Sequence, residues 1–590
     1  MSERSLFTEL KRRNVYRAAT FYAAGSWLLV QVATQVFPFF DIPNRAVRVV
    51  VVAALIGFPL VLLLSWFYEW TPEGLKRERD VDRSESITHV TGKKLDRGII
   101  AVLSLTIVLL LADRFVVHRD ATIVADRSIA VLPLANASDD KDEQYFSDGL
   151  SEDLISALSQ FAGLKVISRN SSFQFRDTKD DSRTIGRKLG VAHLLDGSVR
   201  RASGEVRVSA ELINVADGST LWSQSYVRPY QDLFALQEEI ARAVVAELKA
   251  TTLLANSGAV VQSDRPPSGS LDAYNAYLEG KFYGARGTEA DYRKAIEFYD
   301  GAIRLDRSYA LAHASRAFVW INLARKFLDG AEAQEAYANA RAASDTALSL
   351  APDLAAVHRV RGVLFESADF NWTAAEAEYR RALELAPNDG AGKTSLAGLR
   401  ATLGDPEQAV DLTREGVLSD PLRASSYNYL AAYLASLGRL DEAEQAIRKA
   451  IELQPAAADY HTQLAVIEIL RGDAAAALDA ALQENAAGGW LEIALALARQ
   501  IGGDRAAADT SLQVLLDGHA DDSAYQIAQV YALRGDPDRM FEWLDRAWAN
   551  RDAGIGYLLY DPLLQPYESD PRFAAFCGKV GLPAPEARTQ

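Results

Sequence analysis

Residues 424–455 read ASSYNYLAAYLASLGRLDEAEQAIRKAIELQP, and this stretch decides the architecture of the C-terminal half. Tyr427, Leu430, Ala431 and Leu434 recur at the three-to-four spacing of a helix with one buried face. Gly438 turns the chain. Ala443, Ile447 and Ala450 then form the packing face of a second helix, and small alanines let the two helices approach closely. Pro455 ends the unit, because proline cannot continue a helix interior. The unit is a helix, a glycine turn and a helix.

The same unit recurs outward. LAPD, LAPN, LSDP and LQPA place Pro352, Pro387, Pro421 and Pro455 at spacings of 35, 34 and 34. Gly404, Gly438 and Gly472 recur every 34 residues, and Ala375, Ala409 and Ala477 stand where Ala443 does. A 34-residue period of helix pairs resembles the tetratricopeptide repeat, which implies an all-α superhelix with a long concave surface for peptides or partner helices. An earlier unit is visible at 276–307, with Ala295, Tyr299 and Ala302. The next, 310–352, is about ten residues longer than the period, and its first helix is expected to run on through RKFLDGAEAQEA (325–336). The array is expected over 271–550 in roughly eight units, with 551–590 as a cap over the last apolar face. Candidate partner-binding residues on first helices are Lys393, Asn428 and His461.

Residues 126–250 have a different rhythm, with short β-branched runs at 129–135 and 164–168 and three longer strand-like runs between 192 and 227. Gly204 and the Asp217-Gly218 pair supply hairpin turns. Helical segments at 149–161, 181–190 and 232–250 complete a small α/β domain, and 251–270 reads as a linker. The strings SIAVLPLANASDDKDEQYFSDGLSEDLISALSQ, LGVAHLLDGSVRR and LWSQSYVRPYQDLFALQEEIARAV resemble the TolB-like (FlgO/CsgG-like) N-terminal-type domain of bacterial envelope proteins. LFTELKRRNVYRAATFYAAGSWLLVQ and FYEWTPEG also resemble that membrane-anchored repeat family. The resemblance implies an envelope protein of a Gram-negative bacterium. It carries over no catalytic residue. Longer relatives often bear a cyclase or winged-helix DNA-binding domain ahead of the membrane, and with about 14 residues before the first apolar run neither is expected here.

Three apolar runs, at about 15–40, 46–68 and 98–117, are read as transmembrane helices within a membrane region spanning 1–120, since a bilayer core needs about 20 apolar residues in a helix. Trp27, Trp66, Tyr68 and Trp70 fall at or near run ends, as interfacial aromatics do. Lys11, Arg12, Arg13 and Arg17 precede the first run, and seven Lys and Arg lie in the 69–97 loop. The positive-inside rule then expects a cytoplasmic N-terminus, a multi-pass inner-membrane anchor in contact with the lipid bilayer, and residues 118–590 in the periplasm.

Charge follows the same division. Residues 1–97 hold 14 Lys and Arg against 10 Asp and Glu, so of the net −16, the remainder of the chain carries −20. An acidic body argues against a nucleic-acid partner, because phosphate affinity is supplied mainly by Lys and Arg. One cysteine, Cys577, and seven histidines without an i, i+4 pair offer no metal site, and no cofactor is expected. PNDGAGKT (387–394) approaches a nucleotide loop but follows a helical segment at a repeat boundary. The chain is therefore expected to be no enzyme but a protein-binding scaffold or signalling component of the envelope. The alternative is an envelope sensor whose α/β domain binds a small ligand and signals across the membrane.

Overall fold

The computed structural model describes residues 127–251 and 264–585, apart from positions 139, 160, 162, 203, 329 and 486–488. Of the preceding part it describes 22–23, 25–27, 54, 57–58, 68–71 and 74–77. The chain divides into two units, Met1–Val124 and Ala125–Gln590.

In the first unit the Tyr22 hydroxyl donates to the Ala54 carbonyl at 3.1 Å, and the Tyr22 and Phe58 rings lie 6.0 Å apart. Residues of the first two apolar runs thus meet. Strand β1 (Tyr68–Thr71) pairs antiparallel with β2 (Gly74–Arg77), so Tyr68 and Trp70 belong to a short hairpin rather than to the end of a span. The expectation of three transmembrane helices is corrected here. Among the described residues no helix is long and apolar enough to cross a membrane. The long helices, such as Gly330–Leu350, carry charges along a polar face instead of an unbroken apolar run. The runs 15–40, 46–68 and 98–117 lie mostly outside the described residues. The bilayer contact and the periplasmic placement of 118–590 rested on those helices and fall with them.

The second unit begins with a mixed sheet. Strands β3 (Ser128–Val131), β4 (Ala135–Asn136), β5 (Lys165–Val166), β6 (His193–Ala202), β7 (Glu205–Asn214) and β8 (Thr220–Pro229) run in the order β5-β3-β6-β7-β8, with β4 also on β6. β3 is parallel to both neighbours and wholly buried, as parallel strands covered on both faces are. Alternation divides its residues. Ile129 and Val131 join Leu195, Val206, Val208 and Leu212 under α1 (Gln144–Ser159) and α4 (Leu233–Thr251). Ala130 joins Leu194 and Ile213 on the other face, under α3 (Ser182–Leu189). Asp181 caps α3 by accepting from the Thr184 N–H, and Gly190 closes it in the left-handed conformation at φ 62°. A single turn, α2 (Arg169–Ser172), precedes α3.

Eight helix pairs follow among the described residues: α5 (Leu271–Gly284) with α6 (Glu289–Leu305), α7 (Ala310–Phe327) with α8 (Gly330–Leu350), α9 (Ala355–Leu364) with α10 (Trp372–Leu385), α11 (Gly390–Thr402) with α12 (Pro406–Ser419), α13 (Ala424–Ser436) with α14 (Leu440–Leu453), α15 (Tyr460–Arg471) with α16 (Ala474–Leu482), α17 (Trp490–Ile501) with α18 (Arg505–Gly518), and α19 (Ala524–Leu533) with α20 (Pro537–Ala549). Ala295, Ala375, Ala409, Ala443 and Ala477 are all fully buried. Where a tyrosine takes the facing position, glycine makes the room: a Cβ on Gly362 would come within 2.4 Å of the Tyr379 ring. In the long second pair both helices are extended, α7 to 18 residues and α8 to 21, but α7 does not run on through residue 336. α7 stops at Phe327, and Gly330, at φ 51°, opens a helix of 21 residues.

The α/β domain grips this array at two places. The core beneath α1 and α4 continues through Tyr274, Tyr277, Tyr299 and Tyr309 of the first pairs. Within that joint, Glu152 pairs with Arg169 and, at 2.8 Å, with Lys281. Lys281 also reaches Asp264, and Asp153 accepts from Gln237 at 2.7 Å and from the Tyr274 hydroxyl. The second grip lies some 250 residues away in sequence. Ser171 Oγ donates to Asp420 at 2.5 Å and accepts from the Leu422 N–H at 2.9 Å.

Candidate partner-binding groove

The segment after α20 does not leave the array. Leu559 packs on Gly404, the Tyr560 ring lies 5.3 Å from Tyr433 of α13, and Gln565 donates to the Ser436 carbonyl at 3.1 Å. Asp561 accepts from Tyr525 and Gln529 of α19. Trp372 Nε1 donates to the Val580 carbonyl at 3.0 Å, just beyond the last helix, α21 (Pro571–Lys579). One segment therefore touches the turn after α11, first helices α13 and α19, and the start of the second helix α10. First helices line the inner side of such a superhelix. Leu558, Leu564 and Phe573 are fully buried there, so part of the inner face is filled by the chain itself.

What remains open on that side is lined by tyrosines. Tyr429 and Tyr557 are 37% and 36% exposed, yet burial pushes both hydroxyls above the usual tyrosine range, as in the wall of a groove. Tyr429 stacks on Tyr433 at 6.5 Å, and Tyr557 lies 5.2 Å from Tyr560. Glu366 accepts from the Tyr379 hydroxyl at 2.6 Å, and burial raises its carboxyl. The exposed Arg325 guanidinium lies close enough to act on Glu366, Tyr379, Tyr429 and Tyr557.

At the other end stands Asp459, immediately before α15 and at φ 75°. An aspartate in this position ordinarily caps its own helix. Here Glu484 does so, accepting from Asp459 N at 3.2 Å, Thr462 N at 2.6 Å and the Thr462 hydroxyl at 2.9 Å. Among the described residues Asp459 is left with one donor, Asn428 Nδ2, at 3.3 Å. Burial first, and the Glu484 charge second, push its carboxyl up to about 7.

Of the three residues singled out from sequence, Asn428 is bonded to Asp459 and its Oδ1 is buried without a partner. His461, two residues after Asp459, likewise has a buried, unpartnered Nδ1. Lys393 is engaged elsewhere, with Glu415 of α12 at 2.7 Å. Residues 387–394 follow helix α10, not a strand, and the Asp389 carboxylate occupies the N-terminus of α11 by accepting from Ala391 N, where a phosphate would have to sit. Arg325, Glu366, Tyr429, Asp459 and Tyr557 escaped the sequence reading. Asp459 looks like any N-cap residue, and Tyr557 reaches the groove only because the tail turns back.

Comparison with known proteins adds the following. Residues 125–243 match the family described as HilA/YgeH-like transcriptional regulator, second domain, and 424–456 match the tetratricopeptide repeat family. A protein of Rhizobium meliloti (strain 1021) named "Putative adenylate cyclase 3" is 36% identical over 197 residues, 33% of this chain and 33% of that one. The chain thus matches about a third of that relative's length. Among solved structures, PilW, a widely conserved type IV pilus biogenesis factor, is 20% identical, with 36% of this chain and 92% of that one covered and a TM-score of 0.31. YrrB, a tetratricopeptide protein with an unusual peptide-binding site, is 22% identical, with 30% and 87% covered and a TM-score of 0.22. The chain is a tetratricopeptide-repeat protein, and such proteins are generally scaffolds for protein–protein interaction. The expectation that it is no enzyme is overturned by the match to a protein named as a cyclase. Motif spacing finds compact sites only; catalytic groups drawn together from distant positions escape it.

Proposed function

We propose that this chain is a recruitment scaffold whose inner groove, between Arg325 and Asp459, holds a protein partner. The α/β domain, read from sequence as TolB-like, fixes the first repeats at one end and the 419–422 turn at the other, so the groove is presented on a rigid frame. The observation that carries the reading is the pair Tyr429 and Tyr557. Both are large, exposed aromatics on a concave wall, the kind of anchor that dominates protein interfaces. Crosslinking of the full chain in cells, beside a Tyr429→Ala, Tyr557→Ala variant, tests it. A discrete protein captured by the first and lost from the second is the expected result. Equal capture by both would refute the groove's role.

A second reading has one observation in its favour, the 197-residue likeness to a protein named as an adenylate cyclase. On that reading the chain itself forms cyclic AMP from ATP. Assay of the purified full chain for cyclic AMP decides it, and no product above a heat-treated control would dismiss it.

A further inference from the structure

The Asp459 corner is short of hydrogen-bond donors. Asn428 Oδ1 is buried and accepts from nothing among the described residues. Among the described residues the Asp459 carboxyl beside it has only the long bond from the same amide. Glu484 supplies no relief, since its carboxylate is already occupied by Asp459 N, Thr462 N, the Thr462 hydroxyl and Asn485 N. Buried acceptors without donors are costly, and each calls for an explanation. The Tyr429 and Tyr557 hydroxyls lie close enough to feel the Asp459 charge. Aromatic faces carry negative potential and attract cations. Arg325 acts on the two tyrosines but not on Asp459, and among the described residues no lysine or arginine pairs with Asp459. The whole chain is acidic, at net −16, which draws basic partners toward it.

Given the groove as the partner site, we infer that Asp459, Asn428 Oδ1 and the Tyr429 and Tyr557 rings form a subsite for a lysine or arginine side chain of the protein partner. The ammonium or guanidinium supplies the missing donors to Asp459 and Asn428, while its charge and stem lie against the tyrosine faces.

The test is calorimetric titration of the full chain with acetylated, amidated Gly-Ser-Arg-Ser-Gly, its lysine counterpart, and its citrulline counterpart, which keeps the shape of arginine without the charge. The two basic peptides should bind, and citrulline should weaken binding roughly tenfold or more. Asp459→Asn should cause a loss of similar size; the fold should tolerate it, since asparagine accepts the left-handed backbone. Tyr429→Leu should weaken binding about threefold, and Val514→Ala, on the exposed face of α18, should leave it unchanged. Equal binding of citrulline and arginine, an Asp459→Asn variant that binds as before, or no binding of either basic peptide at millimolar concentration would each overturn the subsite. Crosslinking in cells separates the two claims. Recruitment kept by Asp459→Asn but lost with both tyrosines removed leaves the groove standing without its cation subsite. Recruitment unchanged in both variants removes the groove reading itself.

Discussion

Asp153 and Asp459 have both been taken out of bulk water, and the fold treats them differently. Asp153 sits in the joint between the α/β domain and the first repeats, where Gln237 and Tyr274 both donate to Oδ2, Oδ1 has no donor among the described residues, and a continuous apolar core closes over it. Burial first, then the Asp264 charge, hold its carboxyl well above the usual range. Asp459 receives a single long bond and faces exposed aromatic rings. The first is a sealed joint that fixes two domains. The second is an open corner beside Asn428 Oδ1, which is buried without a donor among the described residues.

The joint should be the costlier to break. Lys281→Ala strips Glu152 of one of two cations in a desolvated site and should lower stability by about 3 kcal/mol, measured by urea unfolding. A change below 1 kcal/mol would mean that the joint is wetter than its contacts indicate. On the groove side, Trp372→Phe keeps one aromatic ring but loses the rest of the indole and the donor to the Val580 carbonyl, and should cost about 2 kcal/mol in the same measurement.

Asp459→Asn should act in the opposite direction and only at higher pH. The folded carboxyl titrates at about 7 against an ordinary 3.8, so the native state disfavours the ionised form. The wild-type chain therefore loses stability as pH rises from about 4 to about 7, with the full penalty above that range. The groups around it are Glu484, Asn428, Tyr429, Tyr460 and Tyr557. The variant should melt at a higher temperature than the wild type at pH 8 and at the same temperature below pH 4. A constant difference across that range would contradict the assignment. Smallest of all, Lys393→Ala removes only a partly exposed pair with Glu415 and should change stability by less than about 0.5 kcal/mol and leave partner capture intact.

The repeat body was legible because its physics is local. Alanines at a fixed place in each unit and turn glycines every 34 residues report helix pairs directly, and Gly404, Gly438 and Gly472 all stand at positive φ. The sheet was legible for the same reason, through period-two runs and the Gly204 and Gly218 turns. What depends on distant contacts was not. Nothing in the sequence of 551–582 says that it returns to Gly404, Ser436 and Trp372, and nothing near Ser171 announces Asp420, 249 residues on. Of the residues around the proposed groove, Asn428 and His461 lie on α13 and α15, while Asp459 could not be read because its role depends on Glu484 taking over its cap. Apolar runs alone led to membrane spans that no described helix forms.

A photo-reactive phenylalanine analogue placed at Tyr429 in the full chain, with the same analogue at the exposed Val514 of α18 as comparator, tests the central claim most directly. The groove account predicts a discrete protein adduct from position 429 and none from 514, with a lysine or arginine close to the crosslinked residue of the partner. Adducts from 514 alone, or equal adducts from both positions, would contradict it.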